Sequence, residues 1–297
     1  MTASTNARKR TLLAVLAHPD DETFGMGGTL ALYARRGVEV HLVCATRGEV
    51  GEVAPHFLEN FQSIAELREH ELRCAAENLG LTGVHFLNYR DSGMPGSPDN
   101  QHPDALAAAP IAEVAARVTC FIRELQPQVV LTFDPIGGYR HPDHIAIHQA
   151  TVKAFHAAGD PNQFPEQGSP FQPDKLYFHT FPRGWLSWLV HLMPLFGKDP
   201  RRFGQNEDID LLEIAGQKFP VDARINYKSV IKEKEAATAC HASQGGMGSS
   251  GNLLVRLAFR VAAGQDSYMR AFPEPDGGPR EQDLFAGIDF QDETPET

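Results

Sequence analysis

Short apolar runs recur along the first half of the chain and predict the strands of a sheet. Residues 11–17 (TLLAVLA) and 129–133 (VVLTF) are continuous apolar runs, which are typical of strands buried on both faces of a parallel sheet. Residues 38–45 and 84–89 predict two further strands. Each predicted strand is followed by a longer segment of different periodicity.

These longer segments predict helices over residues 23–36, 63–79, 111–125 and 143–157. A glycine follows each of the first two, as is common at helix C-termini. Strands that alternate with helices indicate an α/β fold. We therefore predict a Rossmann-like three-layer sandwich, in which helices cover both faces of a mostly parallel sheet.

The second half of the chain is less regular, but no clear linker divides it, so residues 1–297 are interpreted as a single domain. Residues 159–173 are rich in Pro, Gly and Gln and predict a loop or insertion. The apolar segment 185–196 is a core helix, a lid over the site, or a subunit contact in a homo-oligomer. Residues 291–297 are expected to form a mobile tail.

Composition limits the classes of partner. The chain has 297 residues, 42% of them hydrophobic and 22% charged, as in an ordinary soluble enzyme. Its net charge of −11 argues against a nucleic-acid partner and against an anionic membrane surface. No apolar run reaches the roughly 18 residues of a membrane-spanning helix.

Cysteine usage bears on the compartment. The chain has 4 cysteines, scattered along it without C-x-x-C spacing. This pattern favours unpaired thiols in a reducing environment, and it predicts a cytoplasmic location.

Two polar clusters follow predicted strands directly. Residues 18–22 (HPDDE) come after the first strand, and residues 134–144 (DPIGGYRHPDH) come after the VVLTF strand. Ligands of open parallel sheets bind beyond the carboxyl ends of the strands. If the two strands are neighbours, both clusters line one crevice.

The residue types in these clusters suit a divalent cation. His18 and Asp21 are three residues apart, so one turn can direct both at one point, and the second cluster can supply a third ligand. Such a set suits Zn²⁺ or Fe²⁺ and leaves a coordination position open for catalysis. Helix capping is the alternative explanation, but a cap needs one side-chain oxygen rather than several carboxylates.

Both clusters also match a known family. Residues 17–22 (AHPDDE) and 141–144 (HPDH) resemble the motifs of the LmbE-like (PIG-L type) zinc-dependent de-N-acetylases. Residues 90–94 (RDSGM) and 137–139 (GGY) narrow the likeness to the branch that acts in mycothiol-type thiol biosynthesis. Further matches are residues 48–52, 68–72, 241–244 and 283–287.

The resemblance implies a role for each matched residue. The metal ligands would be His18, Asp21 and His144. Sugar hydroxyls would be bound by Glu52, Arg68 and Asp91. The groups around the reacting amide would be Asp20 as the general base, His141 as the oxyanion stabiliser or the proton donor to the amine, Asp143 as the residue that orients His141, and Tyr139 over the acetyl carbonyl.

The activity that the resemblance implies is removal of the N-acetyl group from an N-acetylglucosaminyl compound, linked to inositol or malate, with release of acetate and a free amine. The substrate would be a small amino sugar, and the cofactor Zn²⁺ with Fe²⁺ as the alternative. Three other functions stay open: an amidase of thiol conjugates, a non-haem Fe(II) enzyme, and a non-catalytic sugar-binding relative. Asp20 and His141 favour hydrolysis, because neither is expected to bind the metal.

Overall fold

The computed structural model describes residues 9–180, 219–245 and 264–290, with short pieces between 190 and 217. Within these residues seven strands form one sheet. The strands are β1 (Thr11–Leu16), β2 (Glu39–Cys44), β3 (Gly83–Phe86), β4 (Val129–Phe133), β5 (Lys175–Thr180), β6 (Ala223–Asn226) and β7 (Gln265–Phe272).

The strand order is β3-β2-β1-β4-β5-β7-β6. Strands β1 to β5 are parallel, and β7 runs antiparallel to both of its neighbours. β1 pairs with β2 on one side and with β4 on the other, where Leu12 lies opposite Val129. The two strands that precede the polar clusters are therefore neighbours, and the connections reverse direction between them. This is where open α/β sheets form a ligand crevice.

Helices surround this mixed, mostly parallel sheet. They are α1 (Asp21–Arg35), α2 (Ile64–Leu79), α3 (Ile111–Leu125), the single turn α4 (Gly137–Arg140), α5 (Pro142–Ala158) and α6 (Ile231–Cys240). α1, α2 and α6 pack against one another, and α3 packs against α5. The α/β class predicted from the sequence is confirmed.

Local signals explain the bounds of α2. The Ser63 hydroxyl accepts the Glu66 backbone N–H at 3.2 Å, as an N-cap does, and Gly80 ends the helix with a φ of 74°. Glycine adopts this left-handed conformation at little cost. The predicted helix over residues 63–79 is thus confirmed to within one residue.

Burial follows the apolar pattern of the sequence. All of β1 and β4 is buried, as expected for central strands of a parallel sheet. On α3 the buried residues include Val114, Val118 and Ile122, which share one helical face. This face packs α3 into the core.

Gly28 marks a close approach between two parts of the chain. A Cβ atom at this position would lie 2.1 Å from the ring of Tyr227, which follows β6. Packing therefore explains Gly28, whereas a Cβ at Gly25 or Gly27 would make only ordinary contacts, at 3.6 Å and 3.4 Å. At Gly28 the partner is a tyrosine ring rather than the sheet.

A disulfide corrects the prediction of four unpaired thiols. Cys74 on α2 and Cys240 at the end of α6 are bonded, with Cα atoms 5.8 Å apart. Their separation of 166 residues gives no local signal in the sequence. Cys44 and Cys120 are free. One argument for a reducing compartment is therefore lost.

The predicted loop over residues 159–173 has one short 3₁₀ turn, Pro165–Gln167, and no longer element. The buried guanidinium of Arg123 fixes this loop by donating to backbone carbonyls that include those of Ala158, at 3.0 Å, and Gln163, at 2.8 Å.

Most of 185–196 and all of 291–297 lie outside the described residues. Among the described residues, no helix has the length and apolar character to cross a membrane.

Candidate active site

The two polar clusters meet at the carboxyl ends of β1 and β4. His18 Nδ1 lies 3.2 Å from His144 Nε2, and the Asp21 carboxylate lies 3.5 Å from the first of these atoms and 3.3 Å from the second. Ligands about 2.1 Å from a tetrahedral ion are about 3.4 Å from one another. The three side chains are therefore close neighbours, with Asp21 Oδ2 nearest His18 and Asp21 Oδ1 nearest His144. Ring nitrogens of His18, His141 and His144 also lie within 4.8 Å of one another, so His141 is a further candidate ligand.

The other ring nitrogens of both histidines are held by acceptors. His144 Nδ1 lies 3.2 Å from the carbonyl oxygen of Gly137, and His18 Nε2 lies 3.1 Å from an oxygen of Asp143. Metal-binding histidines usually have such an outer partner, which fixes the orientation of the ring. Both rings thus present the remaining nitrogen to the same point.

The charge of the cluster also fits a cation. Burial by itself lowers the pKa of His18, but Asp91, Asp143 and Asp21 outweigh it and raise the pKa well above its ordinary value. Buried carboxylates repel one another unless a positive charge neutralises them. A divalent cation at this position would remove that repulsion.

Asp20 lies beside the triangle of ligands. Burial raises the pKa of its carboxyl to about 6, although Arg68 acts in the opposite direction. Its backbone has an unusual φ of 127°, just before α1 begins. General bases work best with a pKa near the working pH. Asp20 is therefore suited to accept a proton at neutral pH.

The guanidinium of Arg68, which the resemblance assigns to sugar hydroxyls, contacts Asp20 and the loops around it. Its buried guanidinium donates to Asp20 Oδ2 at 3.0 Å, to the Pro19 carbonyl at 2.6 Å and to the Gly48 carbonyl at 3.0 Å. These contacts direct the group at the general-base candidate and the loop around it, and the assignment of Arg68 to sugar hydroxyls stays a prediction.

Asp143 contacts two histidines, and its assignment to orienting His141 stays a prediction. Its carboxylate contacts His18 and accepts hydrogen bonds from the backbone N–H and the hydroxyl of Ser92. The contact with His141 is made by the Asp143 backbone N–H, which donates to His141 Nδ1 at 3.2 Å. The Asp143 carboxylate therefore orients a metal-ligand candidate.

Asp91 and Glu52 differ in exposure. Asp91 is buried, accepts the Gly93 N–H at 2.8 Å, and lies 3.5 Å from His18 Nε2. The Asp91 carboxylate thus stabilises the turn at Gly93 and adds negative charge beside His18, a candidate metal ligand. Glu52 is exposed on the loop that follows β2.

His141 and Tyr139 lie against the ligand histidines. The ring centre of His141 is 4.5 Å from that of His18, and the ring centre of Tyr139 is 5.0 Å from that of His144. Burial lowers the pKa of His141, with His18 and His144 adding to the effect. Burial also raises the pKa of Tyr139, so its hydroxyl keeps its proton. Both side chains are close enough to the candidate metal ligands to contact a substrate bound beside them.

The sequence reasoning missed the partners of the acidic cluster. Glu22 is fully buried, and its carboxylate lies 2.7 Å from Nε2 of His241, which is also fully buried. Ser243 donates its N–H and its hydroxyl to Glu71 of α2. The motif matches at 17–22, 68–72 and 241–244 contained all four residues, but only the fold brings them together.

Fold and site together define a class: an α/β protein with a buried cluster of His and Asp side chains, candidate ligands of a metal ion, where the sheet connections reverse. A family model described as GlcNAc-PI de-N-acetylase (PIG-L) matches residues 13–155. Curated relatives that are 36% and 38% identical match over 98% and 99% of their length, and the chain belongs to the PIG-L family.

Two of these relatives are named 1D-myo-inositol 2-acetamido-2-deoxy-alpha-D-glucopyranoside deacetylase. The one from Geodermatophilus obscurus is 36% identical, over 94% of this chain and 98% of the relative. The one from Thermobifida fusca is 38% identical, over 93% of this chain and 99% of the relative. The N,N'-diacetylchitobiose deacetylase of Pyrococcus horikoshii has a similar fold, with a TM-score of 0.60 and 19% identity over 90% of this chain and 87% of that one.

Proposed function

We propose that the protein is a metal-dependent hydrolase that removes the N-acetyl group from an N-acetylglucosaminyl compound and releases acetate and a free amine. The observation that carries the proposal is the meeting of His18, Asp21 and His144 at the carboxyl ends of β1 and β4, with the partly buried Asp20 carboxyl next to them. The names of the full-length relatives favour an inositol-linked sugar over a malate-linked one.

The proposed metal ligands are His18, Asp21 and His144, and the proposed ion is Zn²⁺. The donor set of two imidazoles and one carboxylate also suits Fe²⁺, which is the alternative. When bound, the cation polarises the amide carbonyl and stabilises negative charge that develops on its oxygen.

The residues around the ion transfer the proton and stabilise the developing charge. Asp20 accepts a proton from the attacking water as the water oxygen bonds to the carbonyl carbon. The proton held by Asp20 passes to the amide nitrogen as the C–N bond breaks, so that the amine leaves neutral. The neutral ring of His141, whose Nδ1 accepts the Asp143 N–H, donates a hydrogen bond from Nε2 to the carbonyl oxygen as that oxygen gains charge. The protonated Tyr139 hydroxyl donates a hydrogen bond to the carbonyl oxygen as it gains charge.

Sugar recognition is proposed for Glu52 and Asp91, whose loops border the crevice. Arg68 is proposed instead to hold Asp20, because its guanidinium already donates to that carboxylate and to two backbone carbonyls. A neutral sugar requires a few directed hydrogen bonds rather than a basic patch. The net charge of −11 agrees with a small neutral substrate.

The wider organisation is part of the proposal. Residues 1–297 would form one domain, with the α1, α2 and α6 group on one face of the sheet and α3 with α5 on the other, as in a three-layer sandwich. A homo-oligomer and a cytoplasmic location are also proposed. Light scattering and cell fractionation test these two points.

The direct test is acetate release from N-acetylglucosaminyl-inositol by protein reconstituted with Zn²⁺ or Fe²⁺. We expect stoichiometric acetate and amine with a loaded ion, and none after chelation. Cleavage of a thiol-conjugate amide alone would favour the amidase alternative. Sugar binding without acetate from any N-acetyl sugar, in metal-loaded protein, would contradict hydrolysis.

A further inference from the structure

The carboxylate of Glu22 lies at the centre of a buried hydrogen-bond network. Oε1 accepts from His241 Nε2 at 2.7 Å and from the hydroxyl of Thr23, and Oε2 accepts the backbone N–H of Asp20 at 2.9 Å. Glu22 and His241 are fully shielded from solvent. Buried carboxylates are retained only when such partners compensate for lost hydration. Glu22 therefore contacts the general-base candidate through its backbone.

The backbone contact matters because of the conformation of Asp20. Its φ of 127° and ψ of −27° are rarely adopted by a residue with a side chain. A conformation of this kind persists only where the surroundings hold it. Glu22 holds the backbone N–H of Asp20, and Arg68 holds its carboxylate at 3.0 Å. The direction of the carboxylate is thus fixed from both sides.

The helix that carries Arg68 is covalently linked to the helix that precedes His241, the partner of Glu22. Arg68 belongs to α2, and His241 directly follows the last residue of α6. The disulfide between Cys74 and Cys240 links these helices one residue before His241. This cross-link fixes the position from which His241 reaches Glu22.

We propose that Glu22, held in place by His241, is the positioning residue for Asp20 in the hydrolytic reaction, a role that rests on the proposed function of Asp20 as general base. Glu22 contacts neither the proposed ligand atoms nor the crevice. It acts by keeping the Asp20 turn in the conformation that aims its carboxylate at the attacking water.

The first test measures kcat and KM on N-acetylglucosaminyl-inositol, together with metal content, for Glu22→Ala, Glu22→Gln and His241→Gln. We expect wild-type metal content, KM within about twofold, and kcat lowered by about 10- to 100-fold in Glu22→Ala, since a well-placed base contributes about 10²–10⁴-fold. Glu22→Gln should be less impaired, because its amide oxygen can still accept the Asp20 N–H. The kcat of His241→Gln, whose amide can still donate to Glu22, should lie between the kcat of Glu22→Gln and that of the wild type.

A double-mutant cycle separates positioning from general loss of structure. In an Asp20→Asn background the base is gone, so adding Glu22→Ala should change the residual kcat by less than about twofold. A structural role would instead lower the residual kcat by the same factor as in the wild-type background, and that result would overturn the proposal.

Glu281→Gln is the matched control. Glu281 accepts from Lys175 at 2.7 Å where β5 begins, at the edge of the sheet opposite the carboxyl ends that carry the candidate site. It should lower the unfolding temperature without lowering kcat. Wild-type kcat in Glu22→Ala, with an active parent enzyme, would overturn the positioning role alone. An inactive, metal-loaded wild type would instead overturn the proposed function.

Discussion

Buried Arg68 and partly buried Asp20 form an ion pair, with Nη2 and Oδ2 3.0 Å apart. Burial raises the pKa of Asp20 to about 6, and Arg68 is the largest influence that lowers it. The pair therefore determines the pH at which Asp20 loses its proton and can act as a base.

Replacing Arg68 by Met should shift the acidic limb of the kcat/KM profile to higher pH. Without the guanidinium the pKa of Asp20 rises further, and the base is active only above its pKa, so activity is lost at a higher pH on acidification. Profiles of wild type and variant from pH 5 to 8 measure the shift. Arg73→Met, an exposed change on the same helix, should leave the profile in place. An unchanged profile with a raised KM would return Arg68 to sugar binding.

Removing the disulfide should destabilise the fold. Cys74→Ser with Cys240→Ser opens a loop that spans 166 residues, and losing such a cross-link typically costs about 2–4 kcal/mol. Urea denaturation of the double variant measures the change in the free energy of unfolding. Cys120→Ser, which alters a free thiol, is the control. An unchanged midpoint, or two free thiols at these positions by mass spectrometry, would contradict the structure.

A histidine pair on β2 and β3 should make stability depend on pH. His85 Nε2 lies 3.4 Å from His41 Nδ1, and burial lowers the pKa of both. The unfolded chain then binds more protons near pH 6, so stability is full above the unfolded pKa of about 6.5 and falls as the pH drops below it. His85→Gln should reduce the loss between pH 7.5 and 5.5 in urea denaturation. An equal loss in the variant would exclude this pair as a source.

The first half of the fold could be predicted from the sequence, because its strands are apolar throughout and its helices carry clear end signals. The strand β5 was missed. Its first residue, Lys175, is buried and pairs with Glu281, 106 residues away. A charged residue argues locally against a buried strand, and the partner that compensates for it is visible only in three dimensions.

The position of the site could also be predicted from the sequence, whereas the hydrogen-bond partners of its residues could not. The ends of β1 and β4 indicated where the polar residues meet, and the predicted ligands His18, Asp21 and His144 do converge. Their outer partners could not be predicted, since a residue type does not fix the direction of a carboxylate. The Asp143 carboxylate contacts His18 while its backbone N–H contacts His141, and the contact of Glu22 with His241 has no signal in the sequence.

The most direct measurement is the metal content of the protein after reconstitution and desalting. The account predicts about one divalent ion per chain in the wild type and in Asp20→Asn, and loss of that ion in His144→Ala. His148→Ala, one turn further along α5, should retain the ion, because His148 Nδ1 faces the Phe133 carbonyl at 2.8 Å. A wild type without metal, or His144→Ala with a full complement, would contradict the account.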